Sequence, residues 1–118
     1  LTNPTAVFLV AEQGAELSAG RQPQVVGYVG MHLLFEDGYI TNIAVHPDVR
    51  RRGIAAALLH ELAEYGRQHG LSRITLEVRA SNDAAISLYQ KLGFVQQGRR
   101  KHFYSHPTED GLLYSLFL

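Results

Sequence analysis

Hydrophobic and polar positions along this chain change period several times, and each change marks an element. Ala6–Ala11 (AVFLVA) is a short apolar run bounded by turn formers, which predicts a strand. Gly14–Pro23 is a polar connection. Val25–Phe35 returns as a strand with β-branched residues, and Gly27 and Gly30 inside it predict a bulge or a close neighbouring backbone. Glu36-Asp37-Gly38 reads as a hairpin turn, with Asp-Gly supplying the positive-φ positions, and Tyr39–Val45 follows as the third strand. The first half is therefore an antiparallel meander.

The period then lengthens. Ile54, Leu58 and Leu62, with Leu59 and Ala63 beside them, form an apolar stripe at helical spacing, which predicts a helix over Gly53–His69 ended by Gly70. Ser72–Arg79 alternates: Ile74, Leu76 and Val78 point one way, Thr75, Glu77 and Arg79 the other. Ser81 or Asn82 caps a second helix that uses Ala85, Leu88, Tyr89 and Leu92 and stops at Gly93, with Phe94 folding back. Phe94–Gln97 begins another strand and Leu112–Leu118 is the last. The order βββ-α-β-α-ββ predicts an α/β (α+β) fold, a mixed and largely antiparallel sheet with two core helices.

Length and composition narrow the class. At 118 residues the chain reads as one domain, 1–118, and 46% apolar with 19% charged residues fits a soluble globular protein. Lys+Arg and Asp+Glu balance at 11 each, so no overall field recruits nucleic acid or a membrane surface. Cysteine is absent, which excludes disulfides, thiolate metal sites and cysteine nucleophiles. No apolar run approaches the roughly 18 residues of a membrane span, and a cytoplasmic location is expected. The chain begins with Leu1 instead of methionine and reads as trimmed at its start.

Asn42–Leu59 (NIAVHPDVRRRGIAAALL) carries the first chemistry. A strand end, a basic loop and a helix start make an anion site, because the first helical N–H groups lack partners and the macrodipole adds roughly half a positive charge. Gly53 lets backbone approach a bound group, Ala55 adds little bulk, and Arg50, Arg51 and Arg52 surround the same point with positive charge. This reads as a pyrophosphate cradle; from the loop alone, a solvated connection is an equal reading. The spacing matches neither the P-loop nor the dinucleotide fingerprint.

The loop resembles the coenzyme A loop of the GNAT acetyltransferases, R/Q-x-x-G-x-G/A, through Arg50, Gly53 and Ala55. Asn42-Ile43-Ala44-Val45-x-Pro47 is similar to that superfamily's preceding strand. Leu76–Phe94 (LEVRASNDAAISLYQKLGF) is similar to the second half of the core in bacterial ribosomal-protein alanine N-acetyltransferases, with N-x-x-A-x-x-L-Y-x-x-x-G-F kept from Asn82 to Phe94. The resemblance covers about Val25 to the C-terminus. Family members carry a further strand and two helices before the part corresponding to Ala6, so these are expected to be missing from 1–118. In the family they help wall the acceptor pocket.

The resemblance implies acetyl transfer from acetyl-CoA to an amine, with a protein N-terminal α-amine as the expected acceptor. A GNAT-like sheet parts between the Ile43-Ala44-Val45 strand and the Thr75–Arg79 strand, and the gap admits the donor; the Val45 N–H is then the oxyanion candidate. Ile43, Ala44, Val45, Arg50, Arg51, Arg52, Gly53, Ile54, Ala55 and Asn82 are the expected donor contacts. Glu77 is the implied general base and Tyr89 the implied acid for the leaving thiolate. On residues alone, Glu77 reads more readily as a surface carboxylate, by about two to one, and Tyr89 more readily as core; Asn82 reads as a plain cap, which is compatible with a donor contact. An α-amine is about a tenth neutral at pH 7 and a lysine under about a thousandth, so a carboxylate base suits the α-amine better.

Other chemistries find less support. The six histidines lack ligand spacing, so no metal is expected, and His46, His102 and His106 read as surface or loop residues. There is no G-x-S-x-G elbow. Arg99–Tyr104 reads as an edge or acceptor-side loop, with RNA contact as the weaker alternative. Two further functions stay open: a truncated core that holds CoA without turnover, and an acetyltransferase of small-molecule amines.

Overall fold

The computed structural model describes residues 6–13, 24–50 and 53–118. Arg51, Arg52 and the expected connection 14–23 lie outside the described residues. The elements are β1 (Ala6–Gln13), β2 (Gln24–Leu34), β3 (Asp37–Val45), α1 (Ile54–Gln68), β4 (Arg73–Arg79), α2 (Asp83–Lys91), β5 (Val95–Tyr104) and β6 (Glu109–Phe117), with a 3₁₀ turn at Pro47–Val49. One sheet holds them in the order β1-β2-β3-β4-β6-β5. The first three strands form the expected meander, β3 and β4 pair in parallel, and β4-β6-β5 is antiparallel again.

Both helices lie on one side of this sheet, because their stripes need cover. Leu58, Leu59 and Leu62 of α1 join Val29 and Met31 of β2, Ile40 of β3 and Ile74, Leu76 and Val78 of β4 in one core, with Leu62 and Val29 fully buried. A side chain such as Leu62 contributes about 1.5–3 kcal/mol by leaving water. The alternation of β4 is realised: its even-numbered residues are buried and its odd-numbered ones half-buried. Gly70 ends α1 in the left-handed region (φ 77°), and the Phe94 N–H returns to the Tyr89 carbonyl after α2.

Three sequence boundaries move. The β2–β3 turn is Phe35-Glu36, two residues earlier than Asp-Gly chemistry suggests, since Leu34 already pairs with Asp37. Gly38 is needed inside β3, where Met31 fills the space a Cβ would take. Arg99–Tyr104 is not a loop but the greater part of β5, an edge strand paired to β6 through Arg99↔Leu112 and Arg100↔Gly111. Its solvent-facing charges suit an edge, where like cations discourage further strand pairing. The last strand accordingly starts at Glu109, three residues before the apolar run that signals it.

The β2–β3 ladder is irregular at one point. Gly30 faces Asn42 and Met31 faces Ile40, so Thr41 is an extra residue without a partner. A bulge of this kind bends its strand and increases local twist. The bulge expected from Gly30 is present, on the partner strand.

Candidate active site

Beyond the bulge, β3 leaves β4. Their parallel pairing covers Asp37↔Arg73, Gly38↔Ile74 and Tyr39↔Thr75, and no later pair forms among the described residues. The strand end nevertheless stays fixed to β2, with Val45 opposite Gly27 and the His46 N–H on the Val26 carbonyl at 2.7 Å. Antiparallel alternation then turns the N–H and C=O of Val45 away from β2 and into the gap. On that side Arg50 Nε donates to the Val45 carbonyl at 3.3 Å.

Two cavities open from this gap. On the helix side, Val45, Arg50, Gly53, Ile54, Ala55 and Asn82, with Ala84, Ala85 and Leu88 of α2, line a cleft of about 460 Å³. Gly53 is the N-cap of α1 at φ 76° and ψ 15°, a left-handed conformation that costs other residues about 1–2 kcal/mol. The first turn of α1 has no side-chain cap and no acidic residue. Its N–H groups therefore face the cleft unneutralised, which favours an anion. Alanines supply an apolar wall around that polar mouth.

The second cavity, about 270 Å³, runs between the parted strands and is lined from both faces of the sheet. Ile43, Asn82 and Tyr89 come from the helix side, Glu77, Arg79 and Tyr104 from the other. The Glu77 side chain is only 4% exposed. Its Oε1 accepts a hydrogen bond from the Tyr39 hydroxyl and lies 3.4 Å from Arg100 Nη1, while Oε2 is buried with no partner among the described residues. Burial, then the Glu77 hydrogen bond and charge, push the Tyr39 phenol up to about 12. Tyr104 is raised by its burial and by Glu77, with Arg79 opposing; the Arg79 guanidinium lies 4.5 Å over its ring.

Tyr89 is 7% exposed, and its ring packs on Phe94 with centroids 5.7 Å apart. Burial, and secondarily Tyr104, raises its pKa, so the phenol keeps its proton through the neutral range. It is both a core residue and a wall of the passage. Asn82 is likewise double: its Oδ1 accepts from the Ala85 N–H at 3.2 Å as the N-cap of α2, and the residue borders both cavities. Ser81 caps nothing; its N–H binds Glu109 Oε1 at 2.5 Å.

The structure thus brings together Glu77, Tyr89, Ile43 and Asn82 in the passage and Val45, Arg50, Gly53, Ile54 and Ala55 in the cleft. Ala44 lines neither; it pairs with Tyr28 on the face away from the helices. Arg51 and Arg52 lie outside the described residues. Sequence reasoning missed Tyr39, Arg100, Tyr104 and Gly111. Tyr39 carried no signal, because the Thr41 bulge decides which face it takes. His102, expected at the surface or in a loop, is an exposed residue of β5. Among the described residues no group of three His, Asp or Glu side chains could hold a metal, and no helix is long and apolar enough to cross a membrane.

Comparison with known proteins identifies the family and the fold. The profile of the acetyltransferase (GNAT) family matches residues 2–94. A Bacillus subtilis relative, provisionally named a ribosomal protein bS18-alanine N-acetyltransferase, is 35% identical over 113 residues, 96% of this chain and 70% of its own. The ribosomal protein bS18-alanine N-acetyltransferase of Escherichia coli is 43% identical over 79 residues, 67% of this chain. That match spans 52% of the Escherichia coli enzyme, about half its length. The crystal structure of the ribosomal-protein-S18-alanine N-acetyltransferase from Escherichia coli superimposes with a TM-score of 0.84 at 29% identity, covering 98% of this chain and 71% of that one.

Proposed function

Since the chain belongs to the acetyltransferase (GNAT) family, we propose that it moves the acetyl group of acetyl-CoA to an amine, and specifically to the α-amine of a protein N-terminus resembling that of a ribosomal protein. The observation that carries this reading is the pair of cavities meeting at Asn82, one open on the helix side and one reaching through the sheet. Donor and acceptor can approach a single point from opposite faces. Acetyl-CoA, the family's donor, suits the cleft: unneutralised N–H groups of α1 and Arg50 for its phosphates, alanines for its pantetheine arm.

Each residue then has one task. Glu77 accepts the amine proton as the new C–N bond forms. The Val45 N–H meets negative charge building on the carbonyl oxygen. Tyr89 gives a proton to sulfur as the C–S bond breaks, and solvent afterwards restores both groups. Asn82 holds the start of α2 where the two substrates touch. No role is assigned to nucleic acid or membrane, and a cytoplasmic location belongs to the same reading, since acetyl-CoA and new protein N-termini share that compartment.

Calorimetry with acetyl-CoA and a CoA-release assay over N-terminal peptides test it together. Binding plus turnover on peptides is expected. Binding without turnover would indicate a silent CoA-holding core, and turnover confined to small amines would move the acceptor class. No heat and no thermal shift at millimolar acetyl-CoA would remove the reading.

A further inference from the structure

We propose that Tyr39 is a positioning residue for Glu77: its hydroxyl occupies Oε1 and leaves Oε2, beside Gly111, as the oxygen that takes the amine proton. The purpose of that proton transfer rests on the acetyl-transfer reading; the Tyr39–Glu77 contact does not.

Tyr39 and Glu77 stand on opposite banks of the place where the sheet parts. Tyr39 occupies the last paired position of β3, opposite Thr75, so intact sheet anchors its ring. Glu77 lies two residues further along β4, where β3 no longer pairs with it, though Leu113 of β6 still holds its backbone from the other side. A glutamate has three rotatable bonds and, left alone, could present either oxygen in several directions. The Tyr39 hydrogen bond and Arg100 at 3.4 Å both fall on Oε1, which fixes the carboxylate plane.

The other oxygen is then singular. Oε2 is buried and has no partner among the described residues, a condition native proteins rarely leave uncompensated. A Cβ built on Gly111 would stand 3.3 Å from Oε2 and 3.2 Å from the Phe103 ring. Glycine there keeps a methyl from being pressed against this oxygen. Oε2 therefore keeps the free lone pairs that Oε1 has given up. The proton of the attacking amine goes to Oε2 directly or through one water, and Tyr39 keeps its own.

The ionised and ionisable groups around Glu77 are few. Tyr39 faces it from β3, Arg100 and Tyr104 from β5, and Arg79 follows it on β4, itself paired with Glu109 of β6 at 3.4 Å. Tyr39 and Arg100 both meet Oε1, so losing the phenol removes one of the two groups that hold the carboxylate.

The test has two arms. In ¹³Cζ-tyrosine NMR, the signal lost in Tyr39→Phe identifies Tyr39. In the wild type it should titrate above the ordinary phenol range, and in Glu77→Gln it should move down. An unchanged titration in Glu77→Gln overturns the proposal, whether or not the protein turns over. In the kinetic arm, Tyr39→Phe should lower kcat about tenfold, hold KM for acetyl-CoA within about twofold and move the acidic limb of the rate profile. An unaltered kcat and limb overturns it, and so does a loss as large as that of Glu77→Gln, which would make Tyr39 a proton relay. A wild type that releases no CoA counts against acetyl transfer alone, and the NMR arm still decides the contact.

Discussion

The helix-side cleft and the passage through the sheet border each other at Asn82, yet they are made of different material. The cleft is made of what side chains leave out: a left-handed glycine, a row of alanines, and backbone N–H groups at the head of α1. The passage is made of single atoms in fixed places, chiefly the Glu77 carboxylate, which the Tyr39 hydroxyl holds, and the phenols of Tyr89 and Tyr104. A surface of backbone and small residues degrades gradually when altered. A proton-handling group fails at once. The same difference separates binding from chemistry, and four measurements bear on it.

The largest effect should come from the passage. Glu77→Gln keeps shape and hydrogen bonding but removes the base, so the rate should fall by about 10²–10⁴, with a flattened acidic limb and little change in acetyl-CoA affinity. Tyr89→Phe should lower the rate and leave that limb in place. Rate and melting temperature measured together decide whether the two residues belong to chemistry or to the core; two stable, active variants would remove both assignments.

Next comes the cleft's charge. Arg50→Ala with Arg52→Ala should weaken acetyl-CoA binding by an order of magnitude or more, since charge-assisted phosphate bonds are worth about 1.5–3 kcal/mol each. Acceptor KM should stay near its wild-type value. Unchanged donor affinity would mean that the loop is merely solvated.

Gly53→Ala is a smaller test of the same cleft. No atom of the described residues stands within 4 Å of the added Cβ, so the cost is conformational, about 1 kcal/mol at φ 76°. The melting temperature should fall by roughly 4 °C and donor affinity by less than about tenfold. An unaltered melting point would show that residue 53 can leave the left-handed region.

The mildest effect is visible only in alkali. Tyr39 and Tyr89 both hold their protons more tightly folded than unfolded, Tyr39 to about 12. Their contribution is complete below the unfolded pKa of about 10 and is lost as pH rises through the folded values. Melting temperature should therefore decline between about pH 10 and 12, and less steeply in the Tyr39→Phe/Tyr89→Phe double variant. Equal slopes would mean that the two phenols are not buried as described.

The cleft was readable in the sequence because it is local. Val45, Arg50, Gly53, Ile54 and Ala55 fall within one strand–loop–helix unit, whose residues suggest an anion site as readily as a solvated connection. The passage is not local. Tyr39, Glu77, Arg100 and Gly111 meet only through the register of β3, β4, β5 and β6, which periodicity does not report. Glu77 itself was reached through the resemblance and the alternation of β4. Two of the three displaced boundaries have a common cause: Gly38 and Arg99–Tyr104 carry turn-like or loop-like composition, and tertiary pairing overrides it.

Thr41 keeps the two halves of one strand in step. One surplus residue lets Ile40 and Ile43, three apart, both face the helices, and Tyr39 and Asn42 both face away. Drawing Thr41 into the ladder would impose strict alternation and transpose everything on one side of it. Either Ile40 would leave the core and Tyr39 enter it, or Ile43 and Val45 would turn from the cleft. Deleting its codon would instead leave every other residue on its present face. Most substitutions along this strand change one contact; flattening the bulge would exchange the inside of the protein for its outside.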